Sequence, residues 1–461
     1  FWWLTDDARE QAYVIVSAYR IDGALDADRW ATAASEVVRR HDAFSLSFTE
    51  RDGCLYQRTV PGEPLALERG EFDPANLDEL LGSYASSRFV IEGGRLVRHG
   101  LFSSGDGTAH LYVLACHHII ADGQSLSVFF HELALAYQAQ REGQAPAFAT
   151  PATQFIDVLA ATTRDRSEKE DSSVGYWVEQ LHGADDPLQW PMEPLPASPD
   201  GAHVVVLTPA LAAHVAGCAQ DLNVSRFSLL YAAYKWLLSK VCAARDFPVG
   251  HPVANRDAPE AQGVFGCFAN VVALRATVSA TDTFGEYAQR VNAETIASMG
   301  HQSAPLERVV DRLRVRRAGE PWYGLQAFFS FQQSNPLQIE GLVLQRQLRL
   351  PTRAKFPLSL IVDVESEDRI TLVWEYAGAQ VHARTAAALC EHFLELLDTV
   401  LREPSRRLLE LSLARECTPA AHVEPEADRP DIVSCFREVA SRHPGRVAIV
   451  DGGCRLTYRD L

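Results

Sequence analysis

Two adjacent histidines stand just ahead of an Asp-Gly pair in the run His117-His118-Ile119-Ile120-Ala121-Asp122-Gly123. Imidazole is the side chain whose ordinary titration spans neutral pH. A histidine here can take a proton or a hydrogen bond from a reacting group, and a nearby carboxylate can orient it. The apolar β-formers Leu111 to Cys116 lead in, and a helical pattern follows from Ser125, so a buried strand delivers the pair to a loop. Successive side chains on a strand face opposite ways, and only one imidazole can serve a given site. A zinc site would need a third ligand and usually histidines at i and i+4 on a helix, so no metal is expected. Asp122-Gly123 also suits a turn that caps the next helix. That plainer reading leaves two adjacent imidazoles unexplained.

The elements that must position this run alternate without a steady βαβ rhythm. Residues 12–22 read as a strand ending at Gly23. Asp26 caps a helix through His41 with Trp30, Ala33, Ala34, Val37 and Val38 on one face. The pattern continues with a strand over Phe44 to Phe48, a helix over 77–89 and strands over 95–103 and 110–116 around a Gly105-Asp106-Gly107 turn. Helices follow over 125–140 and 153–182. Prolines 187, 191, 194, 196 and 199 mark a boundary. Beyond it come strands near 203–208, 247–253, 269–277, 325–333, 341–349, 356–364 and 370–376. Helices lie near 209–221, 226–242, 284–299 and 382–402. This is an α+β chain with two lobes, 1–182 and 183–415. A linker over 416–430 opens a new pattern over 431–461, with a helix at Asp431 to Val439 and a strand at Val447 to Val450.

Composition narrows the function. The 461 residues carry a net charge of −17, which argues against a general nucleic-acid binder. No apolar run approaches the ~20 residues of a membrane span. The nine cysteines are scattered without a C-x-x-C, which points to a reduced, cytoplasmic protein. Phe1-Trp2-Trp3-Leu4 is not a signal peptide and reads as the clipped start of a domain.

His117-His118-x-x-x-Asp122-Gly123 resembles the HHxxxDG signature of condensation domains from nonribosomal peptide synthetases, relatives of chloramphenicol acetyltransferase. Further segments agree in order and spacing. Arg40-His41-Asp42-Ala43-Phe44-Ser45-Leu46-Ser47-Phe48 is similar to R-H-E-x-L-R-T-x-F. Gly250 to Arg256 is similar to G-x-P-x-A-x-R, Phe265 to Arg275 to I-G-x-F-V-N-T-L-x-L-R, and His301 to Glu307 to a segment ending in P-F-E. The resemblance covers about 1–415. Leu456 to Leu461 resembles the opening L-T-Y-x-E-L of an adenylation domain, which makes 431–461 its truncated start. Ser45, Gln124 and Ala269 depart from the pattern, standing where Arg, Trp and Val are usual. The histidines exclude heterocyclisation domains by resemblance, and Phe268-Ala269-Asn270 favours condensation over epimerisation.

The resemblance implies a two-lobed, V-shaped chloramphenicol acetyltransferase-like fold with a tunnel between the lobes. It implies amide formation between a donor acyl or peptidyl thioester and the α-amine of an acceptor aminoacyl thioester. His118 serves as base or positioning acceptor, and the Gly123 N–H faces the oxyanion. His117 and Asp122 support the site, Asp122 by pairing with a buried arginine, first Arg275 and second Arg256. Asn270, Gln124 and Ser125 line the tunnel. No cofactor is bound covalently; substrates arrive on phosphopantetheine arms. The partners are an upstream donor and a downstream acceptor carrier domain and an adenylation domain in cis, around a monomer that binds neither nucleic acid nor membrane. The basic run Arg308, Arg312, Arg314, Arg316 and Arg317 either meets an acidic carrier or is a solvated helix end. The competing reading is a catalytically silent domain that docks carriers or recruits a partner enzyme. A stand-alone transferase using coenzyme A fits less well with the adenylation-like tail.

Overall fold

The computed structural model describes residues 10–52, 54–60, 65–93, 95–148, 153–163, 166–184, 188–190, 197–313, 325–333, 337–347, 353–413, 440–442, 444–451 and 454–458. The chain divides into two units, Phe1–Leu411 and Ser412–Leu461. The expected start at Phe1, the linker over 416–430, the helix at Asp431 to Val439 and Arg314, Arg316 and Arg317 lie outside the described residues.

The first half of the large unit runs β1 (Val14–Asp22), α1 (Ala27–Arg40), β2 (Leu46–Arg51), β3 (Cys54–Thr59), β4 (Glu68–Glu71), α2 (Leu77–Ala85), β5 (Val97–Ser103), β6 (Ala109–His117), α3 (Gly123–Glu142), α4 (Phe155–Thr163) and α5 (Arg166–Leu181). The second half runs β7 (Gly201–Val206), α6 (Pro209–Asp221), α7 (Arg226–Val241), β8 (Asp246–Val253), β9 (Asn270–Thr277), α8 (Phe284–Ser298), α9 (Leu306–Leu313), β10 (Ala327–Gln333), β11 (Val343–Gln347), β12 (Leu358–Val364), β13 (Ile370–Tyr376) and α10 (Ala383–Arg402). In the small unit β14 (Val447–Asp451) pairs antiparallel with β15 (Cys454–Thr457).

Local chemistry accounts for the elements. Asp26 caps α1 by accepting from the N–H groups of Asp28 and Arg29, and the helix buries Trp30, Ala33, Ala34, Val37 and Val38. Every residue of β6 is buried, because the strand lies between β1 and β5 in a sheet ordered β11-β1-β6-β5-β4. The second sheet is ordered β7-β13-β12-β10-β8-β9, with β10 parallel to both β8 and β12. The helical pattern over 153–182 is divided between α4 and α5. Asp42 receives the N–H groups of Phe155 and Ile156 at 2.9 and 3.0 Å. Asp42 to Ser45 form a 3-10 turn, so the strand expected from Phe44 begins at Leu46.

β11, from the second half of the chain, adds to the edge of the first sheet through antiparallel pairing with β1. Arg346 on β11 reaches Asp363 on β12 at 2.5 Å, tying the two sheets. An alternating pattern marks a strand but not the sheet it joins.

Buried imidazoles make this fold sensitive to acid. His99, His117 and His251 are at most 4% exposed, and burial pushes each pKa down to about 4. Between there and the ordinary 6.5, the unfolded chain binds protons that the folded chain refuses. Their contribution is therefore complete above 6.5 and lost as pH falls toward about 4. Glu375, pushed up by burial to about 7, acts in the opposite sense, as one group against three. The midpoint of urea unfolding is expected to be lower near pH 5 than near pH 7.5. A higher midpoint at the acid end would contradict this account.

Candidate active site

β6 ends on His117, whose ring is fully buried. Its Nδ1 accepts the Ile119 N–H at 3.1 Å, which leaves the hydrogen on Nε2. His117 thus shapes the turn that leaves the strand. His118 follows with its side chain half-buried. Its N–H donates to the Tyr13 carbonyl at 2.8 Å, and its Nδ1 lies 4.0 Å from Cys267 Sγ. Burial, then the charge of Lys355, holds the His118 pKa well below 6.5. The ring is therefore uncharged at neutral pH. Burial first, and then the Asp122 charge, push the Cys267 thiol up, so it stays protonated.

Asp122 caps α3 through a capping box with Ser125. Its Oδ1 accepts from the Ser125 N–H at 2.8 Å and hydroxyl at 2.7 Å. Its Oδ2 accepts from the N–H groups of Phe268 and Ala269 at 3.0 and 3.2 Å. Arg256 Nη2 donates to both oxygens, at 3.0 and 3.2 Å. Arg256 also donates to the carbonyls of Ala261, Val264 and Gly266 and stacks on Phe268. Its side chain is 1% exposed and that of Asp122 is 4%. This buried network locks the loop of residues 256–269 onto the start of α3, and thereby sets Cys267 beside His118.

The structure corrects two expectations about this network. Arg275, the first choice as partner of Asp122, instead pairs with Asp246 at 2.5 Å and reaches the carbonyls of Gln180 and His182. Arg256 is the partner. Ser125, expected to line a tunnel, is fully buried, and its hydroxyl lies between Asp122 Oδ1 and the Gly266 carbonyl, at 2.7 and 2.6 Å, with one hydrogen to share between them. Both depended on long-range packing that no local pattern encodes.

Gly123 and Gln124 are exposed at the first turn of α3. A Cβ added at Gly123 would meet nothing within 4 Å, so open space lies over this end of the helix. The Asn270 amide nitrogen donates to the carbonyls of Gln302 and Ala304 at 2.8 and 2.7 Å, which makes it a clasp on that loop. Arg308 pairs with Glu170 and Asp171, and Arg312 with Asp171, on α5. The early Arg40-His41 pair holds Glu132 of α3, at 3.0 and 2.8 Å. A cavity of about 600 Å³ opens elsewhere, against Arg20, Asp73, Ser104 and Asp106, and none of the expected site residues lines it. Cys267 and Lys355 were not anticipated. Cys267 stands at a place that the resembled I-G-x-F-V-N-T-L-x-L-R pattern leaves unspecified, and Lys355 lies in none of the motif segments.

The family model for the Condensation domain matches residues 3–420. The chain belongs to the condensation-domain family. It is 29% identical over 476 residues to a linear gramicidin synthase of Brevibacillus parabrevis, covering 97% of this chain and 6% of that protein. It is 26% identical over 460 residues to surfactin synthase subunit 2 of Bacillus subtilis (strain 168), covering 98% of this chain and 12% of that protein. The chain therefore spans a small part of these synthetases. Among solved structures, the condensation domain of the monacolin K polyketide synthase MokA superposes with a TM-score of 0.77 at 21% identity, over 86% of this chain and 94% of that one. The X-domain from teicoplanin biosynthesis gives 0.75 at 24% identity, over 89% and 95%. The condensation domain has the α+β, chloramphenicol acetyltransferase-like fold of these relatives. No helix among the described residues is long and apolar enough to cross a membrane.

Proposed function

We propose that this condensation domain catalyses amide formation between a donor acyl or peptidyl thioester and the α-amine of an acceptor aminoacyl thioester. Both substrates are held on phosphopantetheine arms of carrier domains and meet in a tunnel between the lobes. The observation that carries the reading is His118, a half-buried imidazole kept uncharged by its surroundings, beside the open start of α3 at Gly123.

The neutral amine attacks the thioester carbonyl, forming the C–N bond and moving the carbonyl π electrons onto oxygen. His118 accepts the amine proton, and the Gly123 N–H faces the oxyanion at the helix start. Collapse restores the carbonyl and breaks the C–S bond. The pantetheine thiolate leaves and takes the proton from His118; it is stable near neutral pH, so the barrier lies mainly in positioning the amine. Asp122, Arg256, His117 and Ser125 shape the centre without touching substrate. The domain works as a cytoplasmic monomer in a module with an adenylation domain, whose first residues form 431–461.

The test loads donor and acceptor carrier domains with aminoacyl-phosphopantetheine, mixes them with this protein and seeks the condensed product by mass spectrometry. Carrier binding without turnover for any pair would overturn the reading. A Gly123→Leu variant probes the open space. A Cβ at this position meets nothing within 4 Å and leucine suits a helix better than glycine, so stability is expected to hold or rise by up to about 1 kcal/mol. Blocking the approach of substrate is expected to lower kcat/KM by about 10²-fold. Unchanged kcat/KM would show that substrate does not pass over Gly123.

A second reading, a silent domain that recruits a partner enzyme, is favoured by the likeness to the X-domain in the complex of the X-domain and OxyB from teicoplanin biosynthesis, with a TM-score of 0.74. It predicts stable binding of a partner enzyme and no product.

A further inference from the structure

We propose that Lys355 is a further catalytic residue of this centre, an ammonium set against the His118 side of the site that donates a hydrogen bond to the carbonyl oxygen under attack. The proposal rests on the condensation reading above. Lys355 lies in the segment leading into β12 of the second sheet, whereas His118 follows β6 of the first. The Lys355 Nζ stands 5.5 Å from the centre of the Tyr13 ring. Tyr13 is the residue whose carbonyl receives the His118 N–H and whose ring lies 6.2 Å from the His117 ring. The cation from one sheet is thus carried to the strand end that presents both imidazoles from the other.

The surroundings leave this ammonium something to do. Lys355 is half-buried. Among the described residues its Nζ makes no hydrogen bond and no ion pair within 4.0 Å. The groups that feel its charge are His117, His118, Cys267 and Glu375. Glu375, on β13, is 5% exposed and leaves Oε1 without a partner, so it supplies a nearby acidic group without tying up the ammonium. Asp122 and Arg256 are locked to each other and offer neither charge to substrate. A poorly solvated donor with no bonded acceptor gains most when a negative oxygen forms in front of it. Because that charge exists fully only in the tetrahedral state, the gain lowers the barrier more than it tightens substrate binding. A lysine that merely balanced Glu375 would show the reverse: a loss of stability with kcat untouched.

The experiment compares wild type, Lys355→Met and Lys355→Arg in the loaded-carrier assay. Lys355→Met keeps the length of the stem and removes the charge. Its kcat is expected to fall by about 10²–10³-fold, as when one oxyanion donor is removed, with KM for each carrier changed less than about twofold. Lys355→Arg is expected to recover at least about tenfold of that loss, since it keeps cationic donors. If Lys355→Met does not fold, Lys355→Gln takes its place with the same expectations. A neutral variant that folds and turns over within about twofold of wild type, or that loses only in KM, overturns the proposal. A wild type that yields no product from any carrier pair overturns the condensation reading itself and removes this proposal with it.

Discussion

Replacing His118 by alanine is expected to lower kcat for condensation by about 10²–10⁴-fold, the range of a positioned acid–base group. The side chain is half-buried, so the variant is expected to unfold within about 1 kcal/mol of wild type. Its neighbour separates chemistry from support. His117 is fully buried and bonded to the turn through Nδ1, so His117→Ala leaves a cavity and an unpaired Ile119 N–H and loses stability along with rate. The ionisation of His118 is a separate check. Its pKa lies below 6.5 because burial and Lys355 disfavour the cation. In an NMR titration its ring protons are expected to stay at their neutral shifts from about pH 8 down through 6.5 and to move only below. A midpoint above 6.5 would mean that the ring is charged when it should accept a proton. A His118→Ala enzyme that forms product at the wild-type rate would remove His118 from the mechanism.

Breaking the Asp122–Arg256 pair is expected to cost on the order of 3–5 kcal/mol of folding stability, because either single change leaves the other charge buried and alone. Asp122 and Arg256 are 4% and 1% exposed at the side chain. Removing the carboxylate also orphans the N–H groups of Phe268 and Ala269. Urea unfolding of Asp122→Leu, Arg256→Met and the double variant forms a cycle. The double variant is expected to be less destabilised than the sum of the singles, with a coupling of about 1–3 kcal/mol. Additive losses would show that the two side chains act independently. Arg275→Ala provides the contrast. Its partner Asp246 is 38% exposed at the side chain, and such a pair is worth about 0–1 kcal/mol. Condensation is expected to fall with Asp122→Leu, since the loop that sets Cys267 beside His118 loses its anchor, and to persist in Arg275→Ala.

The apolar face of α1, the buried strand before the histidines and the cap at Asp122 all follow from repeats of 2.0 and 3.6 residues and from capping chemistry a few residues long. That His117 and His118 have different surroundings, one ring buried and the other half-buried, was legible for the same reason, because neighbours on a strand face opposite ways. The partner of Asp122 was not. Arg256 and Arg275 both lie in motif segments, and the choice between them rests on a contact across 134 positions. Ser125 reads as an ordinary first-turn residue until the Gly266 carbonyl arrives to receive its hydroxyl.

Local pattern alone thus specified a strand–His-His–loop–Asp-Gly–helix unit and an α+β chain, and motif order specified the family. Packing of distant segments settled which arginine neutralises Asp122, that β11 crosses to the first sheet, and that Cys267 and Lys355 come to stand near His118. The physical reason is range. Secondary structure and caps are set by neighbours a few residues apart, whereas the approach of distant segments depends on how two sheets pack, which no local period encodes.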